Sequence, residues 1–172
     1  MKEYILVTII LAIASFVYLK LADKFNIIDK PNHRSSHTQI TVRGGGILFA
    51  LAAVLFSLFN DFQYPYFTIG LIFISIISFV DDIITLSSAI RFPLQILAIL
   101  LMLYQLDLIF ETNFFWVIWL VICATGFINF FNFMDGINGI TGLYSISVLF
   151  GVYLLNQKID TINDDLIIYT LI

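Results

Sequence analysis

The sequence predicts an all-α fold, a polytopic bundle of transmembrane helices. The first observation is composition: of 172 residues, 60% are hydrophobic and 12% are charged, and the mean hydropathy is +1.00. The second is that long apolar windows recur along the whole chain, which a single signal peptide does not explain. The third is that basic residues collect at one set of window ends. These observations exclude a soluble globular protein, and we expect a single membrane domain over residues 1–172.

The apolar windows predict about six complete spans and a truncated seventh. A helix needs about 20 residues to cross the hydrocarbon core, so the shorter windows must share their ends with the interface or thin the bilayer locally. The six windows cover residues 4–21, 45–59, 66–80, 92–106, 114–131 and 140–155. The seventh, residues 166–172, is too short to span. We therefore expect the chain to be the N-terminal part of a longer transmembrane fold.

Basic residues divide unequally between the two sets of helix ends. Six lie at one set and two, Lys2 and Lys158, at the other; the six are Lys20, Lys24, Lys30, Arg34, Arg43 and Arg91. The positive-inside rule makes the first set cytoplasmic and places the N-terminus outside. Three polar segments, at 23–43, 81–91 and 134–139, are thereby predicted to share the cytoplasmic side. That common side makes them candidates for one site.

The first polar segment, extended to residues 29–46, leads into the second window with two histidines, two arginines and three consecutive glycines. Glycines at a helix entrance let the backbone approach a phosphate, and the helix N-terminus presents free amides to it. An anion site is predicted, with the candidates Arg34, His37, Arg43, Gly44 and Gly45. The alternative stays open that topology explains the arginines and helix packing explains the glycines. Lys-Ser/Thr does not follow, so this is not a Walker loop.

The second segment begins with the adjacent carboxylates Asp81 and Asp82 at the end of the third window. Neighbouring carboxylates repel unless a cation or a basic residue compensates them, and all-oxygen ligands suit Mg²⁺ or Mn²⁺ bound together with substrate phosphates. Arg91 follows at the start of the next window. It is interpreted either as a phosphate contact or as an anchor that reaches the membrane interface.

The third segment and the helix end before it, residues 129–139, place Asn129, Asn132 and Asp135 three residues apart, which aligns them along one face of a helix. Because a single Asp near the bilayer centre costs about 2.5 to 3.5 kcal/mol, such a face must meet protein, ligand or the interface. Gly136 and Asn138 continue the segment, so the helix is expected to break there and to offer polar groups to a nucleotide. Hydrogen bonding between helices is the alternative, and it explains one asparagine more easily than three.

These segments together resemble the polyprenyl-phosphate N-acetylhexosamine-1-phosphate transferases, a group within glycosyl transferase family 4. The group includes the phospho-MurNAc-pentapeptide translocase and the transferases that initiate O-antigen, enterobacterial common antigen and teichoic acid linkage units. The resemblance covers essentially the whole chain. The residues that carry it are Pro31, Asn32, Arg34, His37 and the run Arg-Gly-Gly-Gly at 43–46; Asp81, Asp82, Arg91 and Gln95; and Asn129, Asn132, Asp135, Gly136, Asn138 and Gly139.

The resemblance implies phosphoryl transfer from a UDP-N-acetylhexosamine to polyprenyl phosphate, in a bacterial inner membrane, with Mg²⁺ or Mn²⁺. It implies that Asp81, Asp82 and Asp135 are catalytic and candidate metal ligands. Substrate binding is implied for Asn32, Arg34, His37, Arg43, Gly44, Gly45, Arg91, Asn129, Asn132, Gly136 and Asn138. The implied partners are the two substrates and the membrane, with a homodimer or a missing C-terminal half as further partners and no nucleic acid.

Three positions depart from the family pattern. Val42 replaces the usual proline, Asn138 stands where aspartate is frequent, and Thr85 replaces the lysine of the pentapeptide translocase. The last departure favours the O-antigen and polysaccharide initiating branch. Members of this group continue to a further acidic ligand and a loop with histidines, so a non-catalytic remnant or a split-gene membrane subunit is the alternative function. A small-molecule transporter is less favoured, since the polar residues lie at helix ends.

Overall fold

The computed structural model describes residues 2–29, 41–134, 139–159 and 162–172, and in these ranges the protein is a bundle of helices. The helices are α1 Lys2–Lys24, α2 Ile47–Phe59, α3 Pro65–Ile83, α4 Ser88–Gln105, α5 Leu108–Glu111, α6 Phe114–Met134, α7 Ile140–Ile159 and α8 Asp164–Leu171. Two short antiparallel strands, β1 Ile28–Asp29 and β2 Thr41–Val42, connect α1 to α2. The predicted all-α membrane fold is confirmed.

Five of the described helices, α1, α3, α4, α6 and α7, are long and apolar enough to cross a membrane. The second predicted window forms only the 13 residues of α2, about 20 Å of helix against a hydrocarbon core of about 30 Å. The helix starts late because Gly44, in a left-handed conformation, precedes it, and it ends at Asn60. The predicted number of six spans is therefore not confirmed.

Two apolar clusters hold the helices together. Val7 and Leu11 of α1 pack with Phe56 of α2 and Tyr169 of α8. Ile99, Leu103 and Val117 join α4 to α6 in the second cluster. The large apolar side chains outside these clusters are mostly exposed, as in a helix bundle whose outer face meets lipid.

Small and polar residues bring neighbouring helices close. A Cβ on Gly70 of α3 would lie 3.0 Å from the carbonyl oxygen of Ala98, so α3 and α4 approach at a position without a side chain. The buried hydroxyls of Ser57 and Thr68, 2.6 Å apart, link α2 to α3. These contacts fix the α2–α3–α4 unit on which the predicted carboxylates lie.

The helices α1, α2, α3 and α4 run in alternating directions, which brings distant parts of the chain to common ends. Tyr18 touches Phe79 at one end, and Tyr4 bonds to Asp165 at the other. We call the first end the motif end, because the described parts of all three predicted polar segments lie there.

Candidate functional site

The glycine turn at the motif end, Gly44 to Gly46, begins at a position where only glycine fits well. Gly44 has φ +74°, and a Cβ there would overlap with the Tyr18 hydroxyl and lie 3.0 Å from two atoms of the Phe79 ring. The turn continues through Gly45 to Gly46, the residue that caps α2. A Cβ at either of the last two would meet nothing within 4 Å. The first glycine is therefore required by conformation and space, and the other two are not.

A cavity of about 190 Å³ lies between this turn and α3; we call it the α2–α3 cavity. One wall comes from the turn and the start of α2, and the other from the C-terminal half of α3. Its lining residues are Gly44, Gly46, Ile47, Ile74, Ser75, Ser78, Phe79 and Asp82. Asp82 is exposed and supplies the carboxylate of the cavity. The arrangement places an anionic side chain beside a helix N-terminus, with apolar side chains deeper in the bundle.

Asp81, the neighbouring carboxylate, is engaged within the protein. Its Oδ1 accepts a hydrogen bond from the Leu86 amide at 2.7 Å, and its Oδ2 pairs with Arg91 Nη1 at 2.9 Å. The Asp81 and Arg91 side chains are only 21% and 24% exposed, so this ion pair is partly shielded from water. It joins the end of α3 to the beginning of α4 and compensates the charge of one of the two adjacent carboxylates.

The backbone before the glycine turn is anchored to α1. The Tyr18 hydroxyl donates a hydrogen bond to the Arg43 carbonyl oxygen, and the Arg43 amide donates to the carbonyl of Ile27 at 3.1 Å. Arg43 is an exposed residue, so its side chain lies at the surface near the turn.

The asparagines of α6 have different environments. Asn129 is half-buried and donates to Gln95 Oε1 at 2.9 Å and to the Thr125 carbonyl at 2.8 Å. This is a hydrogen bond between α4 and α6, the alternative that the sequence left open for one asparagine. Asn132 is exposed, so its side chain is accessible to a ligand.

Six predicted site residues lie outside the described residues: Asn32, Arg34, His37, Asp135, Gly136 and Asn138. Within the described ranges, no group of three or more His, Cys, Asp or Glu side chains is placed to hold a metal ion. Of the predicted residues that are described, the structure brings Gly44 and Asp82 to one cavity and pairs Asp81 with Arg91. The roles of these residues in catalysis, binding and metal ligation remain predictions.

Asp82 was predicted from the sequence, but the other cavity residues of α3 were missed. Ser75, Ser78, Phe79 and Asp82 follow the spacing i, i+3, i+4, i+7, which places them on one face of α3. That periodicity was a usable signal for the two serines. Tyr18 had none, because it lies inside an apolar window and reaches the site only through the packing of α1 against the glycine turn.

The comparison with family models decides the class of the protein. The model described as glycosyl transferase family 4 matches residues 64–172, more than half of the chain. The chain belongs to glycosyl transferase family 4. Searches of curated proteins and of solved structures returned no match. The matched range of this glycosyl transferase contains the Asp81–Arg91 pair, Asp82 and Asn129, but not the glycine turn. Membership indicates, in general terms, transfer of a sugar phosphate to a lipid carrier.

Proposed function

We propose that this glycosyl transferase moves an N-acetylhexosamine-1-phosphate from a UDP-sugar to polyprenyl phosphate, the step that initiates an O-antigen or another cell-envelope polysaccharide. The proposal rests on membership of the family and, above all, on the α2–α3 cavity. In that cavity one carboxylate, Asp82, borders a glycine turn at a helix N-terminus.

The chemistry of the cavity supports a lipid phosphate and a nucleotide diphosphate as reactants. Helix N-termini favour phosphate because the helix dipole is positive there. The first three amides of α2 already donate to the carbonyls of the glycine turn, so the dipole is the contribution that the described structure supports. Ile47, Ile74 and Phe79 give the cavity an apolar wall, which suits the first isoprene units of an acceptor lipid. Phosphate at the turn and hydrocarbon at the wall are the two parts of a polyprenyl phosphate.

In the proposed reaction an oxygen of the polyprenyl phosphate attacks the β-phosphorus of the UDP-sugar, and the bond to the α-phosphate bridging oxygen breaks. The products are polyprenyl-diphospho-sugar and UMP. A phosphate monoester has a second pKa of about 6, so the nucleophile is already mostly a dianion at neutral pH. No strong general base is needed, and the protein acts mainly by positioning and by charge neutralisation.

The side chains take different parts in this proposal. Asp82 lines the cavity and orients the reacting phosphates or their counterion. Asp81 holds Arg91 at the start of α4, which keeps a guanidinium at the motif end. Arg43 of the glycine turn adds a second positive charge at the surface. Asn132 and Asp135 are proposed to hold the nucleotide end, as the resemblance implies.

The donor set fits Mg²⁺ or Mn²⁺ if substrate completes the coordination. Such ions are commonly held by one or two carboxylates together with substrate phosphates. Within the described residues the motif end offers the Asp82 carboxylate, since both oxygens of Asp81 are engaged by Leu86 and Arg91. Asp135, also predicted as a ligand, lies outside the described residues. When bound, the ion would neutralise phosphate charge. The proposal places this end on the cytoplasmic side of a bacterial inner membrane, since the sequence assigns six of eight basic residues to the corresponding set of helix ends.

Transfer to lipid tests the proposal directly. Membranes containing the protein are incubated with polyprenyl phosphate and with radiolabelled UDP-N-acetylglucosamine or UDP-N-acetylgalactosamine, and label in the organic phase is counted. Release of UMP, rather than UDP, distinguishes sugar-phosphate transfer from simple glycosyl transfer. We expect lipid-linked label with UMP, and a roughly 100-fold or greater loss in Asp82→Asn, because the carboxylate that would hold the counterion of the reacting phosphates is removed.

Asp61→Asn is the matched control, since Asp61 is exposed at the opposite end of the bundle and Asn tolerates its positive φ of 48°. That variant should keep full activity. Full activity in Asp82→Asn would refute its role. Absence of transfer in the unaltered protein with either sugar would favour the non-catalytic membrane subunit.

A further inference from the structure

Tyr18 reaches the motif end although it belongs to none of the sequence motifs. It lies near the end of α1 and is half-buried. Its hydroxyl donates to the carbonyl oxygen of Arg43, 25 residues further along the chain. Its ring meets that of Phe79 edge-on, with centroids 6.4 Å apart and an interplanar angle of 64°. One side chain of α1 thus contacts both the segment before α2 and the C-terminal half of α3.

The Arg43 backbone is held through both of its polar groups. Its amide donates to the Ile27 carbonyl at 3.1 Å, while its carbonyl accepts from Tyr18. Immediately before it, Val42 pairs with Ile28 in the two-stranded ladder. The chain entering the glycine turn is therefore fixed to the end of α1, and the Tyr18 hydroxyl supplies the contact nearest to Gly44.

Tyr18 also touches both walls of the α2–α3 cavity. On the α2 side it occupies the space that a Cβ on Gly44 would fill, and on the α3 side its ring packs on Phe79. Both of these neighbours line the cavity together with Asp82. The width of the cavity therefore depends on a contact made from outside it.

We infer that Tyr18 is a positioning residue of the α2–α3 cavity: its hydroxyl holds the glycine turn against Phe79 and so sets the placement of the turn relative to Asp82. Tyr18 is not among the residues that line the cavity, so it acts through Arg43 and Gly44. The claim that this placement serves catalysis rests on the proposed function. The claim that Tyr18 places the glycine turn does not depend on it.

The first measurement reports on the cavity geometry and does not require enzyme activity. Ser75 is half-buried and lines the cavity, so Ser75→Cys in a Cys123→Ser background reports access to it. A membrane-impermeant methanethiosulfonate reagent labels this cysteine in open membranes, and the rate is measured with and without Tyr18→Phe. Phe keeps the ring and removes only the hydroxyl. Losing one hydrogen bond should raise the population with a displaced turn, and hence the labelling rate, by about fivefold.

Tyr4→Phe is the matched control. Tyr4 lies on the same helix, and its hydroxyl also makes a cross-chain hydrogen bond, to Asp165 at the opposite end. It should leave the Ser75→Cys labelling rate unchanged. A labelling rate in Tyr18→Phe equal to that of the parent would overturn the inference, and so would an equal acceleration by both tyrosine variants.

The second measurement is transfer to lipid, in which Tyr18→Phe should lower kcat about fivefold while Tyr4→Phe should not. Faster labelling with unchanged kcat would overturn the catalytic part of the inference. Faster labelling in a protein that transfers no sugar phosphate at all would support the positioning of the turn and count against the proposed function. Failure of the inference about Tyr18 and failure of the proposed function therefore give different results.

Discussion

Replacing Gly44 by alanine is the sharpest test of the glycine turn. The added methyl group would overlap with the Tyr18 hydroxyl and lie 3.0 Å from Cδ2 and Cε2 of Phe79. It would also force a non-glycine residue to adopt φ +74°. Space and backbone conformation therefore act in the same direction.

The expected cost follows from these two terms. A left-handed conformation costs a residue with a Cβ about 1–2 kcal/mol. Relieving the overlap requires Tyr18 to leave the Arg43 carbonyl, which forfeits a hydrogen bond of about 1 kcal/mol. The sum is about 2–3 kcal/mol, or a fall of about 5–10 °C in the unfolding midpoint for a domain of this size.

The midpoint can be followed in detergent with a maleimide dye that fluoresces on reaction with Cys123, the single cysteine of the chain, which is half-buried in the fold. Gly45→Ala and Gly46→Ala serve as controls, since a Cβ at either position meets no neighbour within 4 Å. In a Tyr18→Phe background, Gly44→Ala should cost less, about 1–2 kcal/mol, because the overlapping oxygen and its hydrogen bond are already absent. Equal stability of the three alanine variants would refute the reasoning.

Two side-chain pairs at the motif end give further predictions. Gln95→Leu should destabilise the protein by about 1 kcal/mol, because Asn129 loses its partner on α4. A double-mutant cycle with Asn129→Leu should show coupling between the two residues. Purely additive effects would contradict a stabilising hydrogen bond between them. The partly shielded pair of Asp81 and Arg91 should show a coupling of about 0.5–1 kcal/mol in the cycle of Asp81→Asn with Arg91→Gln, measured by the same dye assay. A cycle without coupling in low salt would show that the ion pair adds nothing to stability.

The sequence predicted the class of fold because hydrophobicity in a membrane protein is a local property. A window of about 20 apolar residues identifies a span without reference to any other part of the chain. The same reasoning overestimated the second window, since residues 45–46 count as part of an apolar run but form the turn before α2. Hydropathy does not register a backbone conformation such as that of Gly44.

The pairing of site residues was only partly predictable. Alternation of loops placed Asp82 and the glycines on one side of the membrane, and the structure brings Gly44 and Asp82 to one cavity. The sequence treated Asp81 and Asp82 as equivalent. They differ because one carboxylate faces the α3–α4 connection and pairs with Arg91, while the other faces the cavity. Adjacent residues on a helix point about 100° apart, and only packing decides what each direction meets.

What the sequence determined by itself was the membrane-spanning helical class, the three polar segments and their common side, because each depends on composition within a short stretch of chain. Only the tertiary structure decided that Tyr18 anchors the glycine turn, that Gln95 accepts a hydrogen bond from Asn129, and that α2 is too short to count as an ordinary span. Such contacts join residues 25 or 34 positions apart that belong to different parts of the fold. Their partners are selected by how the helices pack, and no local pattern encodes that packing.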